Sequence, residues 1–564
     1  MSKVAALVPL LALPLAVVPL PGAEPAAPVV FLKQGWTDAE RLRFYTTPQG
    51  SWLIPYPWFL NLEQATNENP FRTAANIDRF RYLPGTAEPD VLPVGFTKEP
   101  IEPLRADQSD QKFLRAFTAP WGKDEANIPA ESAWLGLTCA ACHTGQIEFK
   151  GTRLRVDGAP ALADFNRFIR ALAQAVEATV EEKPKFDRFA DRVVGNPGKP
   201  ADRGALRRRL VAYSNALAAY RDRNGPQFAH GYGRVDALAL IMNEVFGTAL
   251  GIPANYRVAD APVSYPDLWL TPKLDWVQWN GSVANPFGRN VGEVLGAFGH
   301  VDATAVLPTG FPSSVRGKNL FDLEQLIDKL EPPKWDETVL GKLDPEAVQR
   351  GALVYASAKC DSCHGDKPPY PMTEPNPWKR QFIKTHMVPL KDIGTDPKAA
   401  VNFATHEALP GVLGVAADVP VKMKAPDLLS QFVFQVSKRQ FVDLKLSPEQ
   451  QLEYKGFRAN ESPPNLLAYK AKPLAGAWAT APYLHNGSVP NLRELLQPPA
   501  QRVRTFYVGT RAYDPKAVGF ETGPFEGGFL FDTGLPGNSN AGHHSGTERT
   551  DQEKADLIEY LKTL

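Results

Sequence analysis

Cysteine is scarce: the 564 residues contain four. A disulfide-built scaffold is thereby excluded, because such scaffolds need many pairs in a short chain. Methionine (5) and histidine (9) are nearly as rare, so any of them that falls into a metal-binding pattern stands out. Net charge is missing altogether, with Lys+Arg and Asp+Glu both at 62. That argues against nucleic acid or an anionic membrane as partner and allows an uncharged, apolar one. Beyond Leu20 no apolar run reaches the ~20 residues needed to cross a bilayer. Nucleotide and hydrolase signatures are absent too. Gly231-Tyr232-Gly233 is followed by Asp236 where a dinucleotide loop needs its third glycine. There is no His-Glu-x-x-His and no Gly-x-Ser-x-Gly.

What is abundant is proline, 53 residues, and aromatics, 10%. Proline near twice its usual ~5% share implies short elements joined by ordered irregular loops. At about 100–200 residues per domain, the length implies two to four domains. The N-terminus reads as a targeting segment. Lys3 supplies the positive end, 4–20 the apolar run, and Pro21-Gly22-Ala23 a cleavage site, giving a signal peptide over 1–23. Retention of this segment as an anchor is the alternative.

The four cysteines fall in two motifs, Cys139-Ala140-Ala141-Cys142-His143 and Cys360-Asp361-Ser362-Cys363-His364. Both read Cys-x-x-Cys-His, the attachment signature of a c-type haem. Two thiols add across the vinyl groups of one haem, and the next residue gives an imidazole to the iron. A four-cysteine zinc site would leave both histidines without a role. The chain is therefore read as a di-haem cytochrome c with two covalently bound haem c groups. Because covalent haem attachment takes place outside the cytoplasm, the expected location is periplasmic or secreted.

Along the chain, 24–137 is rich in Trp, Tyr, Phe and Pro (Trp36, Trp52, Trp58, Trp121, Trp134 among them) without a helical period. It reads as a segment that wraps the first haem, with a short helical turn over 76–82. Ile147 and Phe149, then Leu154 and Val156, alternate with polar residues around Gly151, which predicts a hairpin. Apolar steps of three and four predict helices over 162–180, 205–223 and 235–246. The stretch 265–298 holds Trp269, Trp276, Trp279 and Phe287 beside Asn280, Asn285, Arg289 and Asn290. Core packing accounts for it as well as the wall and polar rim of a haem pocket does. A second unit begins near 335. Asp344, Pro345 and Glu346 start a helix running to Cys360. Thr550 and Glu553 form a capping box for a last helix, and Gly351 permits the two to cross closely. The expected fold is mainly α with extensive irregular loops and a few short β-hairpins, in two cytochrome c-type haem domains, 24–334 and 335–564.

Proximal ligands are His143 and His364. For the outer position of the second iron, His543 stands in a small-residue loop, 537–543, ahead of the last helix, where glycine allows close approach to a haem face. His485, in Leu484-His485-Asn486-Gly487, is the rival, and spacing alone does not choose.

With these residues in view the chain resembles the di-haem c-type cytochromes that include the bacterial rubber oxygenases and di-haem fatty-acid dioxygenases. It is similar, more distantly, to di-haem cytochrome c peroxidases. The matching stretches are 134–138 running into the first motif, Asp157-Gly158, 233–237, 275–282, 393–397, 478–488 and 537–543. The resemblance implies that the haem on His143 has one protein ligand and binds O2, and that the haem on His364 has two histidines. It favours His543 over His485 as the outer one, with His544 beside it as an alternative. It also implies aromatics near the open face of the first haem, assigned here to Trp276 first and then Trp279, Trp269 and Phe287. The implied activity is that of a dioxygenase that oxygenates or cleaves C=C bonds of an apolar unsaturated substrate, polyisoprenoid or fatty acid, with O2 as co-substrate. A peroxidase served by a redox partner protein, and a pure electron-transfer cytochrome, are the alternatives.

Overall fold

A computed structural model describes residues 28–85, 90–100, 133–195, 200–304, 306, 308–414, 421–459, 461, 463 and 465–564. The expected signal peptide and Trp121 lie outside them. About 41% of the structure is helical and 14% is strand, so the architecture is mixed rather than mainly α.

The N-terminal segment supplies β1 (Val29–Phe31), α1 (Asp38–Thr46), β2 (Ile54–Pro55) and β3 (Phe96–Pro100). After them come β4 (Ala133–Leu137), β5 (Thr144–Phe149) and β6 (Thr152–Asp157). Strand β4 is the centre of one three-stranded sheet, between β2 and β3, and β6 is the centre of another, between β1 and β5. The β5–β6 pair is the expected hairpin, with Ile147 opposite Leu154. Its turn is Lys150-Gly151, with φ of 46° and 75°, the left-handed pair that a two-residue hairpin turn requires. Parallel β1 adds the third strand, which alternation in the hairpin could not announce. The helical turn expected over 76–82 is Ala74–Asp78.

Asp164 caps α2 (Phe165–Glu181) by accepting from Arg167 N, so this helix starts three residues after Leu162. Next come α3 (Lys183–Val194) and α4 (Pro200–Asn224), the latter longer than its apolar stripe. The helix expected over 235–246 begins later, at α5 (Ala237–Met242), because Asp236 takes the cap position and accepts from Ala239 N at 3.0 Å. It then continues as a π-helical turn, Asn243–Ala249. Asn285 caps α6 (Pro286–Gly296), and α7 (Gly317–Asp328) follows.

In the C-terminal part, α8 (Pro345–Ser357) leads into the second motif and crosses the last helix. Between them lies the long α9 (Ala425–Asp443), and α10 (Asp551–Leu561) carries the expected capping box. Gly351 sits at the α8–α10 crossing. A Cβ there would stand 2.0 Å from the Asp556 carbonyl oxygen, so only glycine fits. The boundary expected at 334/335 is not a seam in the core. One buried cluster joins Trp36, Trp269 and Leu326 from one side of it to Trp335, Tyr355 and Trp478 from the other.

Candidate haem-binding sites

Each motif is a single tight turn. At the first, Thr138 closes a 3₁₀ turn over Cys139–Ala141, and Cys142 N and His143 N both donate to the Cys139 carbonyl, at 3.2 and 2.9 Å. At the second, Cys363 N and His364 N donate to Cys360 O at 3.3 and 3.0 Å. Residues three and four apart then share a face, so both thiols and the imidazole point the same way. All four thiols are free of disulfides, as a haem attachment site requires.

The two histidines expected as proximal ligands are held alike. Nδ1 of His143 lies 2.7 Å from the Pro266 carbonyl oxygen, and Nδ1 of His364 lies 2.8 Å from that of Lys472. A carbonyl can only accept, so Nδ1 carries the proton and Nε2 keeps a lone pair for a metal. Burial pushes His143 down to about 4 and lowers His364. Both rings are therefore neutral, the form that ligates. Burial also pushes the thiols of Cys139 and Cys142 up to about 12.

Opposite His364 stands His543, with ring centroids 6.3 Å apart. Two imidazoles binding one metal from opposite sides at ~2 Å per bond have centroids ~6 Å apart, so the pair fits an iron between them. His543 Nδ1 is buried without a hydrogen-bond partner, and burial first, then His364, pushes the ring down to about 4. The loop is held from outside. Arg502 donates to the carbonyls of Asn540, Gly542 and His543 at 2.6–2.9 Å. Asn486 donates to those of Gly537 and Ser539, and the Ser488 hydroxyl to that of Ser539. His485 is directed elsewhere. It is buried and stacks on Tyr469 at 4.0 Å, and His544 is exposed.

Around His143 the arrangement differs. Its ring neighbour is Tyr265, edge-on at 6.3 Å. The cavity that Cys139 and His143 open into contains about 680 Å³ including its mouth. Among its described lining residues His143 is the one imidazole, and there is no methionine. Trp279, Gln278, Arg289, Asn290, Glu293 and Lys470 line it. Of the four aromatics expected here, Trp279 reaches the cavity, its Nε1 donating to Ser264 O at 2.8 Å. Trp276 is half-buried and does not line it. Trp269 is fully buried in the core cluster and donates to Ala475 O. Phe287 stacks on Phe441 in a separate core cluster. Core packing thus accounts for Trp269 and Phe287, since a tryptophan rich in apolar contacts reads the same in sequence whether it faces a core or a cofactor.

The polar groups of this cavity form a connected band. Gln278 donates to Glu293 at 3.0 Å, Arg289 pairs with Glu324 at 2.5 Å, and Asn290 donates to Glu324 at 3.1 Å. Burial raises Glu293, while Lys470 is pushed down to about 7, first by burial and then by Lys472. Cations such as Lys470 and Arg289 at the wall suit the carboxylates of a haem. Arg289 and Asn290 belong to the polar rim expected from the sequence; Glu293, Glu324, Lys470 and Lys472 had no signal there, because isolated charged residues resemble a solvated surface.

Behind the band lies a second opening of about 930 Å³, mouth included, sharing Gln278, Arg289 and Glu293 with the first. Its walls are α6 and α9, with Leu238, Ile241, Phe403, Leu429, Val433 and Phe441. Gly288 and Gly292 face Val433 across it, so α6 presents bare backbone and leaves the cleft open.

The RoxA-like, cytochrome c-like family matches residues 468–507, the stretch containing Asn486, Ser488 and Arg502. The whole chain is similar to the uncharacterized protein y4iJ of Sinorhizobium fredii, 35% identical across 97% of this chain and 95% of that one. A second protein of that organism, y4iM, also uncharacterized, is 29% identical across 53% of this chain and 63% of its own length.

Proposed function

We propose that this chain, which belongs to one family with y4iJ and carries a RoxA-like, cytochrome c-like domain over 468–507 that implies covalent haem c, is a di-haem dioxygenase of apolar unsaturated substrates. The RoxA-like cytochrome c domain suggests a cytochrome-type oxidoreductase. One haem c on each motif supplies one-electron redox chemistry and, where a coordination position is open, O2 activation.

The observation that carries this reading is the inequality of the two sites. His364 faces His543 at 6.3 Å, whereas the cavity of His143 offers no second imidazole or thioether among the described residues and adjoins an apolar cleft. The His364 site stores or relays electrons. The His143 site works. Val433, Leu429 and Phe441 bind an apolar chain and exclude water, and Gln278, Arg289 and Glu293 set how far it enters. Trp279 forms a rigid wall. The substrate is an isoprenoid or an unsaturated acyl chain, and the protein acts in a periplasm or outside the cell. No helix among the described residues is long and apolar enough to cross a membrane.

The test is a panel of oleate, squalene and polyisoprene under O2, with products followed by mass. Oxygenated or cleaved products are expected without added peroxide. Turnover only with added peroxide moves the assignment to a peroxidase, for which Glu293 would carry the proton and the Arg289 guanidinium would stabilise developing negative charge. Val433→Trp fills the cleft, and we expect it to cut product formation roughly a hundredfold through substrate misplacement, with unchanged visible spectra.

A further inference from the structure

Both proximal histidines lean on one ion pair. His143 donates through Nδ1 to the carbonyl of Pro266, and the next residue is Asp267. The Asp267 carboxylate accepts from Lys472 Nζ. The Lys472 carbonyl in turn accepts from His364 Nδ1. The result is an unbroken series of covalent and hydrogen bonds from one imidazole to the other, with a single salt bridge between side chains at its centre. The pair lies inside the protein, Asp267 at 4% and Lys472 at 20% side-chain exposure, where charges act strongly on each other and on their neighbours. Lys472 follows the strand Ala468–Ala471, whose Lys470 N donates to Trp279 O at 2.8 Å, so the pair is held on ordered backbone at both ends.

We propose that the Asp267–Lys472 pair couples the two haem sites, giving electrons a bonded route between His364 and His143 and setting both reduction potentials together. This rests on the reading that each motif carries one haem. Asp267 and Lys472 line the cavity of His143, and as positioning residues they would act through the two carbonyls. In the step they would serve, one electron would pass from a haem held by His364, which is oxidised, to a haem held by His143, which is reduced, and no bond forms or breaks. Electronic coupling falls more slowly along bonds than across gaps, so a broken contact at the centre slows the whole path. The ligands themselves survive substitution, because both histidines bind main-chain carbonyls.

The test uses the holoprotein. Electrons are injected by a flash with a soluble photosensitiser, and equilibration between the sites is followed in the visible bands. Asp267→Ala and Lys472→Met are expected to slow equilibration roughly ten- to a hundredfold, the range typical for loss of a group that supports a metal ligand. Lys472→Arg is expected to restore most of the rate. Asp267→Asn keeps an oxygen for Lys472 to donate to but removes a negative charge. It is expected to leave the rate near that of the unaltered protein while both midpoint potentials rise. Rates within twofold of the unaltered protein in both disrupting variants, or potentials unmoved in Asp267→Asn, overturn the inference. Haem content separates the two levels: one haem per chain in the unaltered protein sinks the di-haem reading, whereas two haems with unaffected rates sink the coupling alone.

Discussion

At the scale of single residues, the two sites differ by one imidazole. His543→Ala is expected to remove the low-spin bis-histidine magnetic resonance signature of the second haem and to let that site bind carbon monoxide. His485→Ala and His544→Ala should leave both properties unchanged, since one ring stacks on Tyr469 and the other is exposed. A second residue-level expectation concerns acid. His300 is buried and pushed down to about 3 by burial, and its Nε2 lies 3.2 Å from Trp52 O. In the fold it stays neutral between pH 6.5 and about 3, while in the unfolded chain it takes up a proton below 6.5. Its contribution to stability is therefore present above pH 6.5 and lost as pH falls through that window. His300→Gln should make the acid-side loss shallower by about 1.4 kcal/mol per pH unit, measured by denaturant unfolding at several pH values. Much of this scale was legible in the sequence. Cys-x-x-Cys-His names its own chemistry, and 537–543 announced itself by small residues. Arg502 did not: a guanidinium that saturates main-chain carbonyls leaves no pattern, because its partners are backbone atoms.

At the scale of elements, periodicity located α2, α4 and the α8–α10 pair, and the missing detail was in the ends. Helix starts were set by single side chains, Asp164 and Asp236, whose capping bonds override the apolar stripe. Strands of two to four residues, common here, are too short for alternation to mark. The α8–α10 crossing gives a direct test. Gly351→Ala gains about 1 kcal/mol of helix propensity and costs about 3 kcal/mol in overpacking against Asp556 O. A net loss of about 2 kcal/mol is expected, seen as a lower thermal midpoint. The Soret band of the second haem should report it first, because α8 leads directly into Cys360.

At the scale of the molecule, length suggested several domains, yet Trp36, Trp269, Trp335 and Trp478 share one core. Non-local packing of this kind has no sequence signature short of the fold itself. A chain comprising 335–564 alone would expose Trp335 and Trp478, so it is expected to aggregate or to lose its Soret signature well below the full chain's transition. In the full chain, the tryptophans of both halves share one core and are expected to become exposed in one transition. The loop that presents His543 bears on how such a molecule is made. His543 follows His364 by 179 positions (543 − 364), and the backbone of its loop, 537–543, is gripped by Ile393, Asn486, Ser488 and Arg502, all of which precede it. In the closed fold Cys139 and Cys142 are partly buried and their thiols stay protonated. On the proposed reading, thioether bonds would form most readily on an open, newly made chain, and the outer imidazole would reach the second site after the residues that hold its loop. The spectrum of the second site would then change only when the loop closes, so a Soret shift in a pulse-labelled culture is expected to follow chain completion.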